Sequence, residues 1–152
     1  VEQTGSEVDC SGGSPIYYAW YEMYPAYPVN YANTVQPGDS FSAEVKYTGN
    51  GYFTLSITDH TQNWSHSVKK RSTRAKRGSA EWIAEAPSSG SGVLPLANFG
   101  TVNFSSCTAN GVSISSNPNP DAITMASGST TKAVPSGLGS GGSSFSVTWK
   151  HH

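Results

Sequence analysis

A chain of 152 residues is long enough for one domain with a real core and too short for two comfortable ones. Only 12% of it is charged and 11% is aromatic, which excludes a disordered chain because the aromatics supply burial. A net charge of −1 gives no general reason to expect nucleic acid or a membrane as partner, and no apolar run reaches the ~20 residues that span a bilayer.

The chain opens mid-stride, since VEQTGSEVDC reads as a strand already under way, with no signal peptide before it. Strand side chains alternate, so Gln3, Gly5, Glu7 and Asp9 share one face. SPIYYAWYEMYP follows, bounded by SGGS and Pro25, with Tyr18, Trp20 and Glu22 on one face. SFSAEVKYTG sets Phe41, Ala43, Val45 and Tyr47 against Ser42, Glu44 and Lys46. TGNG then reads as a hairpin turn into NGYFTLSITDH. NWSHSVKK, SAEWIAEA, GTVNFSSCTA, AITMAS and SSFSVTWK continue the series of short strands. GSGVLPLANFG is a connection with enough apolar side chains to tuck against a sheet, and SGLGSGGSS is a flexible loop. No window free of Gly and Pro has helical periodicity. The class is all-β, an antiparallel sandwich or barrel.

Several features stand outside that pattern. Lys69, Lys70, Arg71, Arg74, Lys76 and Arg77 crowd into KKRSTRAKR, which reads as a solvated loop, a phosphate-binding patch or a processing site. Cys10 and Cys107 permit one disulfide in an export-like composition, or two buried thiols. His60 and His66 flank a turn-like TQNWS and read as surface residues. No cluster has metal-ligand spacing, so neither a metal nor another cofactor is expected, and no Ser or Cys sits in a nucleophile elbow. His151 and His152 read as the stub of a purification tag.

The carboxylates raise a chemical question. In AEWIAEAP, Glu81, Ile83 and Glu85 share one side and Trp82 and Ala84 the other; Trp82 and Ile83 together suggest a strand covered on both faces. Any one Glu on a sheet is ordinarily a solvated residue. A buried carboxyl, however, has its pKa raised towards the range where it both takes and gives a proton. A neighbouring Gln amide adds a donor for a developing oxyanion, typically worth ~3–4 kcal/mol.

EQTG, YYAWYEMYPA, AEWIAEAP and LPLANFGTVNF, in this order, resemble the glutamic peptidases, or eqolisins, in a form nearer the bacterial than the fungal branch. The resemblance runs from Val1 to about Trp149. It implies a two-sheet antiparallel β-sandwich of concanavalin-like architecture, one domain over residues 1–150. It also implies a secreted endopeptidase of acidic extracellular surroundings, acting on proteins or peptides without metal or covalent intermediate. Carried over by motif, the reacting pair is Gln3 and Glu85. Glu85 takes a proton from water as Gln3 stabilises the oxyanion, then protonates the leaving amine; a protonated Glu85 acting first as acid is the other order. Glu81, beside Trp82, is implied to support the site by hydrogen bonds or substrate contact, or to be a structural carboxyl. Glu22 falls in the cleft strand, where Tyr18, Trp20 and Tyr24 form either an aromatic wall or the sheet core. Glu7 or Asp9 is implied to orient the pair. The family's strands upstream of the Gln are missing, which points to a short N-terminal light chain of the same precursor as partner. The rival from another class is a non-catalytic, lectin-like carbohydrate-binding sandwich in which YYAWYEMYPAY stacks on sugar rings.

Overall fold

Two adjacent glycines set the first hairpin. In the computed structural model, which describes all residues 1–152, Gly12 and Gly13 take positive φ values of 58° and 80°. That is the mirror-image turn whose twist matches two antiparallel strands, and residues with a Cβ adopt it at a cost. It joins β1 (Glu2–Ser11) to β2 (Ser14–Met23) in unbroken register from Ser11 opposite Ser14 to Glu2 opposite Met23. β3 (Val29–Asn30) pairs with the far side of β2. A second sheet follows in the order β4 (Phe41–Gly49), β5 (Tyr52–Asp59), β6 (Trp64–Arg71). The TGNG turn forms between β4 and β5, with Gly49, Asn50 and Gly51 all at positive φ.

The chain divides into two compact units, Val1–Arg77 and Gly78–His152. In the first, the two three-stranded sheets pack face to face. β5 alternates strictly, burying Phe53, Leu55, Ile57 and Asp59. Ile57 meets Ala19 and Val35 in one cluster, and Leu55 and Phe53 meet Tyr21 in another. Each fully buried Leu or Ile contributes on the order of 1.5–3 kcal/mol. β4 departs from its sequence pattern: at the sheet edge, Val45 and Tyr47 stay 44% and 39% exposed, and only Phe41 at its start joins a core cluster. Half of the basic cluster is strand: β6 includes Lys69 and Lys70, as NWSHSVKK indicates, and runs on to Arg71.

The second unit begins with a correction. SAEWIAEA forms no strand: residues 72–87 have no regular structure, and none of residues 73–86 enters a backbone–backbone hydrogen bond. The strand pattern survives in the side chains alone, with Ala84 and Ala86 inward and Glu81, Ile83 and Glu85 exposed. A small ribbon of β7 (Ser88–Ser89) and β8 (Gly92–Val93) comes next. β9 (Thr101–Phe104) is followed by a ribbon of β10 (Thr108–Ala109) and β11 (Val112–Ser113), then one 3-10 turn, Ile114–Ser116. GTVNFSSCTA thus splits into two strands, and AITMAS contributes only β12 (Met125–Ser127). With β13 (Thr130–Pro135) and β14 (Phe145–Trp149) these form an antiparallel sheet ordered β12-β13-β14-β9. Its core is Ala86, Leu96, Ala133 and Val147. Leu96 lies in GSGVLPLANFG, which is tucked in as its apolar residues require, and its carbonyl accepts from Trp149 Nε1 at 3.2 Å. The chain is all-β, as its composition indicates, and no helix is long and apolar enough to cross a membrane.

Candidate active site

The register of the first hairpin decides which polar residues meet. It sets Gln3 opposite Glu22, Gly5 opposite Trp20, Glu7 opposite Tyr18 and Asp9 opposite Ile16. β2 sends Tyr17, Ala19, Tyr21 and Met23 into the core of the first unit, so these pairs occupy the opposite face of the sheet. Gln3, Glu7, Asp9, Tyr18, Trp20 and Glu22 are all half-buried there.

Within that face the side chains are hydrogen-bonded. Gln3 Nε2 donates to Glu22 Oε2, which fixes the turn of the amide and leaves its second N–H unused. The Tyr18 hydroxyl donates to Asp9 Oδ2 at 2.5 Å. Tyr18 is held well above the ordinary tyrosine pKa, first by burial, then by the hydrogen bond to Asp9, then by the charges of Glu7 and Asp9. Trp20 lies across Gly5, whose side-chain position is 3.7 Å from Trp20 Cζ2. Its backbone carbonyl accepts from Thr4 Oγ1 at 2.7 Å, and its Nε1 is buried without a partner. Tyr18 and Trp20 therefore form an outer wall and not the sheet core. Tyr24 belongs to neither: it lies in the turn after β2 and is 64% exposed.

In the second unit, the backbone around Glu85 is anchored by its neighbours. Ala86 is 7% exposed in the core and Ala84 packs against the same cluster. Their inward side chains leave Glu85 and Glu81 exposed on the other side, with Trp82 half-buried. Glu81 accepts from Ser79 Oγ at 2.7 Å, a local bond that shapes the segment. The expectation of a strand covered on both faces fails here, since Ile83 is 49% exposed. With no partner strand on either side, only the alanine side of the segment is enclosed.

Other expectations resolve one by one. Cys10 and Cys107 are both free thiols, so the permitted disulfide is not formed. Each has its own setting: Cys10 is exposed at the end of the β1–β2 hairpin, whereas Cys107 is buried, its thiol shifted up by desolvation and directed at Ser105 O at 3.7 Å. His60 is an exposed residue beside the Ser42 hydroxyl. His66 is not a simple surface residue: it stacks on Tyr31 at 4.1 Å and bonds Asn33 at 2.7 Å. No three His, Cys, Asp or Glu side chains converge as a metal cage.

The contact between Gln3 and Glu22 escaped the sequence reading, although its signal was present. SGGS taken as a two-residue turn, and not merely as a strand boundary, pairs residues whose numbers sum to a constant, and Gln3 then falls opposite Glu22.

Known proteins resemble the chain along its length. The profile of one family, described as the Peptidase A4 family, matches residues 1–149. Aspergillopepsin-2 from Aspergillus niger is 30% identical over 113 residues, which cover 72% of this chain and 40% of that protein. The chain thus spans about two fifths of the length of this relative. The crystal structure of aspergilloglutamic peptidase from Aspergillus niger is similar with a TM-score of 0.83 at 26% identity, covering 98% of this chain and 89% of that one.

Proposed function

The chain belongs to the peptidase A4 family, and from that membership we propose an endopeptidase, active in acid, whose reacting pair is Gln3 and Glu85. The observation that carries the proposal is the outer face of the β1–β2 hairpin. There an amide is held by a carboxyl, with a tyrosine, a tryptophan and two further acids beside it. A structural sheet face has no need of so many half-buried polar groups, and sugar stacking gives Gln3 no task.

In the proposed reaction Glu85, as carboxylate, takes a proton from a water whose oxygen attacks the scissile carbonyl carbon. The carbonyl π electrons move to oxygen, and the oxyanion accepts a hydrogen bond from the free Gln3 N–H. Glu85 then returns its proton to the amide nitrogen, the C–N bond breaks, and a carboxylic acid and an amine leave. Glu22 positions Gln3 by accepting its other N–H. Trp20, lying across Gly5, walls the site beside Gln3. Glu7, Asp9 and Tyr18 keep the floor of the site polar and fixed, and Glu81 and Trp82 flank Glu85 as substrate contacts.

Both units belong to one peptidase domain in this proposal, which includes a short light chain of the same precursor as partner. Residues 81–86 support it: their side chains alternate as in a strand, yet their backbone groups have no backbone partner. A strand laid alongside would complete a ladder. Acid chemistry and the low charge of the chain suit a protein secreted into acidic surroundings.

The experiment is digestion of a denatured protein at about pH 3–4, near the ordinary carboxyl pKa, with the intact protein, its light chain and a Glu85→Gln variant. The proposal expects cleavage by the parent and none by the variant. Equal cleavage by both removes Glu85 from the reaction; no cleavage by the complete parent favours the sugar-binding alternative.

A further inference from the structure

The dipeptide Lys-Arg occurs twice in the chain, as Lys70-Arg71 and as Lys76-Arg77, and the proposed peptidase chemistry uses neither. The fold holds the two pairs in opposite ways. Lys70 and Arg71 close β6, opposite Phe53 and Tyr52 of β5. Their side chains leave on opposite faces: Lys70 Nζ lies 5.6 Å from the ring centroid of the buried Tyr21, and Arg71 5.8 Å from that of the exposed Tyr52. The residue that follows is tied down as well, since Ser72 N donates to Gly51 O at 2.8 Å.

The second pair has no such ladder. Residues 72–87 have no regular structure, and residues 73–86 make no backbone–backbone hydrogen bond. Residues 76–81 are exposed without interruption. A side chain placed on Gly78 would meet no atom within 4 Å beyond its chain neighbours, so the space beside the Arg77–Gly78 bond is open. Arg77 stacks over Tyr47 at 4.0 Å, a contact worth little at an exposed site. Its φ of 52° is uncommon for a long side chain, so drawing it into an extended form gives up no favoured conformation. Arg74 is less available, because the next residue, Ala75, packs against the cluster of Tyr21, Phe53 and Leu55.

The open bond also falls where the chain divides, between the units Val1–Arg77 and Gly78–His152. The clusters around Ile57 and Leu55 draw only on residues before it, and the cluster around Leu96 only on residues after it. A cut there interrupts no strand and no core cluster.

We propose that Arg77–Gly78 is a processing site, cut by a separate peptidase that reads paired basic residues, so that one chain becomes two. In that step a water oxygen adds to the Arg77 carbonyl carbon and the C–N bond to Gly78 breaks. Arg77 keeps a carboxylate, and Gly78 leaves as an amine that takes up the water's protons. Nicking concentrates at exposed segments of small and polar residues, whereas a bond within a ladder is cut only as its strand opens. The same dipeptide at the end of β6 is therefore spared. The inference does not rest on the Gln3–Glu85 reaction.

The test is digestion of the intact protein, at neutral pH, with a subtilisin-type peptidase specific for the bond after Lys-Arg, followed by intact mass. The folded chain should give fragments 1–77 and 78–152, with the cut after Arg77 about tenfold or more faster than that after Arg71. A synthetic peptide of residues 66–82, which has no ladder, should be cut after both at similar rates. Arg77→Gln should abolish the two fragments and Arg71→Gln should leave them unchanged, with thermal midpoints reporting whether each variant is folded. The nicked protein should keep its strand signal in circular dichroism. Failure to cut the folded chain where the peptide is cut overturns the proposal, as does an equally fast cut after Arg71. A peptide cut after Arg77 alone also overturns it, because side-chain preference and not the fold would then select the bond. Loss of the strand signal on nicking would mean degradation and not processing.

Discussion

The β1–β2 hairpin and the segment of residues 78–87 carry the two halves of the proposed chemistry, and they are held in opposite ways. Gln3 stands in a ten-pair ladder whose register is fixed by a two-glycine turn, and its side chain is clamped by Glu22. Glu85 stands on a backbone that makes no backbone hydrogen bond and is secured by Ala84 and Ala86 through packing alone. A ladder fixes a donor's direction at no expense in side chains. A packed but unladdered segment holds position only as well as its few apolar anchors do.

Hydrogen exchange should make the contrast largest. The amides that β1 and β2 donate to each other are expected to exchange on the order of 10³-fold or more slower than those of residues 73–86, as global stability of about 5 kcal/mol or more implies. Adding the proposed light chain should slow the second set, and protection of residues 73–86 without it would erase the difference between the two regions. Gln3→Ala should lower kcat by about 10²–10³-fold with the thermal midpoint nearly unchanged, because the amide acts on the oxyanion. A variant that unfolds, or one that retains full turnover, would return Gln3 to a structural part.

A smaller effect separates positioning from chemistry. Glu22→Ala should reduce kcat by about tenfold, and Glu22→Gln, which still offers an acceptor oxygen, should recover most of it. Equal losses in both would mean that the charge of Glu22, and not its hydrogen bond, matters. The smallest effect is at Tyr18. Tyr18→Phe should cost about 1 kcal/mol in chemical denaturation by losing the bond to Asp9. The folded pKa of Tyr18 is raised, so its linked stability is full below the ordinary tyrosine value and is lost as pH climbs through the folded one. The variant should therefore have a flatter alkaline limb, and an unchanged limb would mean that Tyr18 does not titrate with folding.

Much of this was legible in the chain, and the misses have physical causes. Alternation and turn glycines located β1, β2, β4, β5 and β6, because a half-buried strand writes its period into the sequence. The same period in SAEWIAEA gave the right inward and outward residues but no strand, since a ladder depends on a neighbour that local sequence does not name. The apolar face of β4 stays partly open at Val45 and Tyr47 because alternation alone does not distinguish an edge strand from a central one. Arg71 read as loop although it closes β6: its side chain lies outward against the Tyr52 ring. In the site, the face containing Gln3 was legible and its bond to Glu22 was not, because the hairpin register had not been counted through the turn. The resemblance to glutamic peptidases stands with family membership.

The most direct measurement is a crystal structure of the protein with the proposed light chain, grown in acid. The Gln3 amide and the Glu85 carboxyl should both lie within hydrogen-bond reach, roughly 2.6–3.2 Å, of one water. Finding them on surfaces that no single water bridges would contradict the shared reaction and leave the polar face of the hairpin without its chemistry.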